Sequence, residues 1–416
     1  MRRTSGETTR PRARPEEVLV TGMGATTPLG ADVAATWEAL LAGRSGIAPI
    51  DAPWAGRLPV RIAGAMYRDP YDEVERVQRR RLDRSQAAAL VAAGEAWADA
   101  GPPQVEPERL AVVVGTGIGG ALTMLDQYDA MNERGRRAVS PYTVPRLMPN
   151  GASAVVSLML GARAGTHAPT SACASGAEAI AVGALLIRAG RADVVVAGGT
   201  DACLHPLSLG AFAQMRALSL RNDAPEQASR PFERRRDGFV MSEGAGMVVL
   251  ERAAFARSRG ARVHAALAGA GVTSDAHDIT LPDAEGQVRA IEEALRDAGL
   301  SGGDIGHVNA HATGTPQGDV AESRALMSAV GGHPVVTAAK SSTGHLLGAS
   351  GAVEAILTVQ SLKESVVPPV RNLEEIGDGI ELDLVRGLPR KADAEAALST
   401  SFGFGGHNIV LAFTRV

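Results

Sequence analysis

Lysine is almost missing from this chain: Lys340, Lys363 and Lys391 are the only three among 42 basic residues. A lysine kept against such a background invites a chemical reason, although survival of a composition bias explains three equally well. Cysteine is nearly as scarce. Cys173 and Cys203 are the only two, too few for a disulfide framework, and they point to a reducing, cytoplasmic setting. Aromatic residues make up 3%, which removes the stacking platforms of a single-strand nucleic-acid binder. Excess positive charge is lacking too. With 46 acidic and 42 basic residues the net charge is −4, which excludes a broadly basic nucleic-acid binder but permits a local basic patch. No apolar run reaches the roughly 18 residues of a membrane helix. The polar, Arg-rich residues 1–16 have no apolar segment behind them and read as a disordered tail rather than a signal peptide.

What the chain does have is length, glycine and alternation. Its 416 residues are 45% apolar, enough for a large core, and 48 are glycine. Short apolar runs such as LAVVVGTG (110–117) and DVVVAGG (193–199) have the continuous character of buried parallel strands. Helical stretches at 84–100, 150–161 and 176–189 separate them. The GMVVLE run at 246–251 reads as a strand with an edge or return role. From 263 the alternation restarts, with strands at 263–272, 307–311 and 335–338, helices at 286–299 and 346–362, and two short strands in 397–416. The class is α/β, and the second half reads as a shorter replay of the first. We divide the chain into a tail (1–16), one half at 17–260 and another at 261–416.

Four segments carry candidate chemistry. Gly115 to Gly120 fits G-x-G-x-x-G after a strand, the signature of a dinucleotide site. No second strand with a terminal acid follows, so a glycine turn needed for close packing is the better reading. TSACASG (170–176) places Cys173 at a turn before a strong helix former. A helix N-terminus favours a thiolate and lowers a thiol pKa, and the small neighbours leave room for a substrate. These residues alone leave both a nucleophile and an inert buried thiol open. Cys203 lacks such neighbours and reads as structural. His311, in HVNAHATGTPQGD, and His345, in TAAKSSTGHLLGASGAVEA, stand at strand ends among small and hydroxyl residues. Parallel α/β sheets gather their sites beyond the carboxyl ends of the strands, so Cys173, His311 and His345 are candidates to converge.

On these segments, together with VTGMGATTPLG, ASRPFERRRDGFVMSEGAG and SFGFGGHN, the chain from about Val18 onward resembles the β-ketoacyl-acyl carrier protein (ACP) synthases of the thiolase superfamily. Within them it is similar to the elongating type II condensing enzymes with a Cys-His-His site, in their actinobacterial form. The resemblance implies a thiolase-like fold, two related α/β halves in five α-β-α-β-α layers. It implies Cys173 as nucleophile, His311 and His345 acting on malonyl-ACP, Lys340 as an electrostatic partner held by Glu354, and Phe404 supplying a backbone donor and a gate. Asp319 is implied in a structural, electrostatic role. Thr313 and Thr315 are implied to bind pantetheine, and Ile118, Phe212, Phe239 and Phe402 to line the substrate pocket. Arg80, Arg81, Arg136, Arg137 and Arg216 are implied to dock an acidic ACP. No cofactor beyond the carrier's own phosphopantetheine and no metal are implied, and the protein is expected to be a homodimer.

Ser242, Gly314, Ser342 and Thr400 depart from the usual family pattern. They leave open a ketosynthase of secondary metabolism, paired with an inactive chain-length-factor subunit. Thiolases need a second cysteine near the C-terminus, where this chain has SFGFGGHN. The initiating condensing enzymes use Asn where His345 stands.

Overall fold

The computed structural model describes residues 16–416, so the expected tail lies outside it except for Glu16. The first half contributes five strands to the main sheet: β1 (Val18–Thr26), β2 (Leu110–Gly115), β3 (Gly165–His167), β4 (Val194–Asp201) and β5 (Gly244–Arg252). They lie in the order β3-β2-β4-β5-β1. β2 runs parallel to β3 and β4, whereas β5 is antiparallel to both β4 and β1. Five more build the second half: β6 (Ala265–Ser274), β7 (His307–Asn309), β8 (Val335–Thr337), β9 (Ala396–Gly403) and β10 (His407–Thr414). Their order, β8-β7-β9-β10-β6, and their senses repeat those of the first half. The replay read from the sequence is therefore a repeat of topology. A three-residue antiparallel contact, Val18 to Val20 against Leu267 to Ala265, joins the halves into one 11-stranded sheet, with Asp383–Leu384 outside β8.

Each strand of β4 and β5 is buried on both faces, which is why their sequences are almost continuously apolar. Val195 and Ala197 face one core, Val194 and Val196 another. The first of these cores holds helices α4 (Ser175–Arg188) and α7 (Ser350–Glu364), which pack against each other and against strands of both halves. The outer face of the first half is covered by α1 (Arg84–Asp99) and α3 (Gly151–Leu160). The outer face of the second is covered by α5 (Ala284–Ala298), on which α6 (Pro316–Ala329) packs. Five layers result. Between α1 and α3 in the chain, α2 (Ala121–Arg134) carries most of its side chains outward.

Two expectations need correction. Of the two roles read for GMVVLE, the strand has the return and not the edge: β5 lies between β4 and β1, antiparallel to both, and is almost wholly buried. The helices Pro206–Gln214 and α6 were not anticipated. The glycine turn reading of 115–120 has a physical basis, because a Cβ on Gly115 would stand 2.2 Å from the carbonyl oxygen of Ser175. The missing side chain lets β2 touch the first residue of α4.

Candidate active site

Cys173 lies in a single 3-10 turn, Ala172–Ala174, that runs directly into α4. Ala172 holds φ at 51°, a left-handed conformation that L-residues avoid. This kink delivers Cys173 to the floor of a cavity of about 410 Å³, partly accessible from it. His311, His345, Phe212, Phe239, Phe402 and Phe404 line the same cavity, as do Thr313, Thr315 and Arg216. The backbone N–H groups of Phe404 and of Cys173 itself face the sulfur.

Each histidine sits just past a strand or turn of the second half. His311 follows β7. Its backbone N–H donates to Glu322 Oε1 at 2.8 Å and to the Thr400 hydroxyl at 3.0 Å, so α6 and β9 hold it from two sides. His345 follows the short helix Lys340–Thr343, and its N–H donates to the Val240 carbonyl at 2.8 Å. The two rings meet edge to face, with centroids 5.5 Å apart. Phe239 abuts His345 at 5.2 Å and Phe402 abuts His311 at 6.0 Å in the same manner. Aromatic edges on both flanks restrict ring rotation.

Lys340 is buried behind the histidines. Its Nζ donates to Glu354 Oε1 at 2.5 Å, to the His311 carbonyl at 2.6 Å and to His311 Nδ1 at 3.2 Å. An ammonium has three protons, and here each has an acceptor. With Nδ1 of His311 occupied as acceptor, its ring proton is on Nε2. Burial and the Lys340 charge push both imidazoles well below their ordinary pKa, so both are neutral at pH 7. Burial also pushes the Glu354 carboxyl up to about 7, against the pull of Lys340.

The helix N-terminus does not make Cys173 acidic. Burial pushes its thiol up to about 11, opposed by Lys340 and the two N–H groups and assisted by the Asp201 carboxylate. Desolvation of the thiolate outweighs the nearby ammonium and N–H donors here. Cys203 is buried in the apolar cluster of Leu209 and Met241, and its thiol is pushed well above the ordinary value, chiefly by burial.

Ile118 is the other correction. It does not line the cavity. The Gly119 and Gly120 turn presents it at the surface, 39% exposed, on the face where Met124 and Tyr128 of α2 are also bare. Asp319 lies beneath the rim, accepting from the backbone N–H groups of Phe232 and Gly314 and facing Arg236. Thr313 and Thr315 hydroxyls are 3.1 Å apart at the mouth. Among the proposed docking arginines only Arg216 reaches the cavity. Arg80, Arg81, Arg136 and Arg137 are exposed, and Arg81 stacks over Tyr142, just beyond the 136–138 turn.

Three residues that the sequence reading passed over prove central. Glu322 accepts from His311, Ala312 and Thr400. Ser350 touches His345. Asp201 accepts from Thr116, Gly117, Ile118 and Gly348 and thereby ties the two halves together beside Cys173. An acid ending a buried strand that is otherwise apolar but for Thr200, as in VVVAGGTD, is the signal for Asp201. Among the described residues no cluster of three or more His, Cys, Asp or Glu is arranged to hold a metal ion.

A duplicated α/β fold with a thiol and two neutral imidazoles at one cavity, and a buried ammonium behind them, is the arrangement of a thiolase-like ketosynthase. Residues 15–256 match the β-ketoacyl synthase N-terminal domain and residues 264–374 its C-terminal domain. The chain is 46% identical over 404 residues to 3-oxoacyl-[acyl-carrier-protein] synthase 2 of Mycobacterium tuberculosis, covering 96% of this chain and 97% of that one. Among solved structures, the ishigamide ketosynthase/chain length factor superposes with a TM-score of 0.91 at 30% identity, covering 97% of this chain and 100% of that one. A β-ketoacyl synthase from Burkholderia phymatum gives 0.90 at 36% identity, covering 96% and 100%. The chain belongs to the β-ketoacyl synthase family and has its thiolase-like fold.

Proposed function

We propose that this protein is a 3-oxoacyl-ACP synthase that elongates fatty acyl chains by decarboxylative condensation. Cys173 attacks the thioester of acyl-ACP. The Sγ–H and carrier C–S bonds break, an enzyme thioester forms, and the proton leaves with the carrier thiol. The N–H groups of Cys173 and Phe404 stabilise the oxyanion of that step. Malonyl-ACP then loses CO₂. The electron pair left on its α-carbon is delocalised onto the thioester oxygen, where Nε2–H of His311 and of His345 donate. The carbanion attacks the Cys173 thioester, restores the thiol on reprotonation, and leaves a 3-oxoacyl-ACP two carbons longer. Neutral imidazoles suit this task, since a donor that kept its proton would stabilise the enolate without quenching it. The observation carrying the proposal is that Cys173, His311 and His345 line one cavity while Lys340 and Glu354 sit buried behind them.

Thr313 and Thr315 at the mouth are suited to the pantetheine amides, and the apolar walls at Phe212, Phe239 and Phe402 to the acyl chain. Arg216 at the rim and the exposed Arg80, Arg81, Arg136 and Arg137 supply positive charge for an acidic carrier on a protein that is itself net acidic. A homodimer is supported by bare apolar side chains on one side of the first half, among them Met124, Tyr128, Val144, Leu158 and Met159, beside the edge strand β3. Clustered bare apolar side chains mark interaction surfaces more often than scattered ones do, and a second copy would cover them. We keep the halves at 17–260 and 261–416, supported by the repeated strand order and by domain matches that end at 256 and begin at 264. A cytoplasmic setting fits two unpaired thiols, and no described helix is long and apolar enough to cross a membrane.

Likeness to a ketosynthase/chain length factor structure supports a second reading, a polyketide-type ketosynthase with an inactive partner subunit. The 46% identity to an elongating synthase favours the first. Intact-protein mass spectrometry with a panel of acyl-ACPs separates them. Acylation of wild type but not Cys173→Ala, discharged by malonyl-ACP, is the expected result. Failure of every acyl-ACP to label the chain alone overturns the stand-alone enzyme, and labelling only with a co-expressed subunit supports the second reading.

A further inference from the structure

The two site histidines are held by different means. Nδ1 of His311 accepts from the Lys340 ammonium. Nδ1 of His345 has no such cation within hydrogen-bond reach; its partner is the hydroxyl of Ser350, at 2.9 Å. Ser350 is the first residue of α7 and is fully buried. Its Oγ also lies 2.9 Å from the backbone nitrogen of Leu346, which can only donate to it. Among the described residues no third partner of this hydroxyl is present. If His345 donated from Nδ1, the hydroxyl proton would be buried without an acceptor, the costly arrangement for a buried donor. If Ser350 donates to Nδ1, the amide, the hydroxyl and the ring are all satisfied.

We propose that Ser350 is a positioning residue that fixes His345 as the Nε2–H tautomer and so aims its donor into the cavity. The proposal rests on the condensing reading above. It makes the two histidines equivalent: each has Nδ1 filled by a buried donor and presents Nε2–H to the malonyl thioester oxygen. The lysine does this for one ring and the serine for the other. Only malonyl decarboxylation uses this donor; transfer of the acyl group to Cys173 uses backbone donors instead.

The test compares wild type, Ser350→Ala and Ser350→Thr in three measurements. Cys173 acylation from acyl-ACP is followed by mass spectrometry. CO₂ release from malonyl-ACP is followed on the acylated enzyme. The ring ¹⁵N shifts of His345 are read in histidine-labelled protein, assigned by their loss in His345→Gln. Ser350→Ala is expected to acylate within about twofold of wild type and to decarboxylate about three- to tenfold more slowly, the worth of one neutral hydrogen bond. Its His345 shifts should move from a single Nε2–H pattern toward a tautomer mixture, and Ser350→Thr should recover the wild-type pattern and most of the rate. Equal loss of both steps would make Ser350 merely structural and overturn the proposal, as would an unchanged tautomer. An inactive wild type with the expected tautomer shift would overturn the condensing reading while leaving the hydrogen-bond assignment standing. Active wild type with unchanged Ser350→Ala decarboxylation would overturn the positioning role alone.

Discussion

Lys340 Nζ lies 2.5 Å from Glu354 Oε1, and both side chains are 1% exposed. The pair is asymmetric in what its loss leaves behind. Glu354 already sits at about 7 with the lysine present, so Lys340→Met lets the carboxyl take up a proton and become neutral. Glu354→Leu instead strands an ammonium in the core with only the His311 carbonyl and ring to accept from it. Breaking a buried pair and leaving a bare charge costs about 3–5 kcal/mol. Urea denaturation at pH 7 should show Glu354→Leu losing an amount in that range and Lys340→Met clearly less. Equal losses would mean that the two partners are equally costly to leave alone.

The thiol of Cys173 offers a direct check on which local effect dominates. With the thiol at about 11, the thiolate fraction at pH 7 is minute and grows tenfold with each pH unit. Alkylation by iodoacetamide should therefore climb steadily from pH 7 to 9 without levelling. Cys173→Ala supplies the background from Cys203. A plateau below pH 8 would show that the helix N-terminus outweighs burial after all.

That contrast also marks how far the sequence could be read. Apolar runs located the central strands, because burial on both faces leaves a continuous signature in LAVVVG and VVVAGG. The nucleophile turn and both histidines were legible as small-residue segments at strand ends. Depth was not. The dipole argument for Cys173 sees the helix that follows it, but not the protein packed around the sulfur. Glu322, in PQGDVAESR, reads as a solvated helix face; it is buried because α6 lies across the backbone N–H groups of His311 and Ala312. Ile118 reads as a wall residue, yet one chain leaves its side of the fold uncovered. Those positions depend on how separate segments pack around one another, which no local pattern encodes.

Gly403 tests the backbone donor next to it. A Cβ there would lie 2.5 Å from the Ser171 carbonyl oxygen and 3.3 Å from the Cys173 nitrogen. Gly403→Ala must therefore push the end of β9 away from the cysteine turn and carry the Phe404 N–H off the sulfur. Loss of one oxyanion donor costs about 10²–10³ in rate. Single-turnover acylation should fall by that order while His345, held by Val240 and Ser350 on other segments, keeps its geometry. Wild-type acylation in this variant would remove Phe404 from the oxyanion site.

An aromatic relay lines the cavity beside His345. Phe212 meets Phe239 edge to face at 5.4 Å, and Phe239 meets His345 at 5.2 Å. Phe239 is buried and braces a site histidine, so its loss should harm catalysis with every primer. Phe212 is only half-buried and braces Phe239 from outside. Phe212→Ala should therefore open room along the chain axis at a modest cost in stability. Each methylene newly buried contributes about 0.8 kcal/mol, or roughly fourfold in kcat/KM. Competition between acyl-ACPs of increasing length should show the longer ones gaining by about that factor per carbon until the new space is filled, with short primers unchanged. A uniform drop across all lengths would mean that Phe212 acts through Phe239 and His345 rather than as the wall of the acyl pocket.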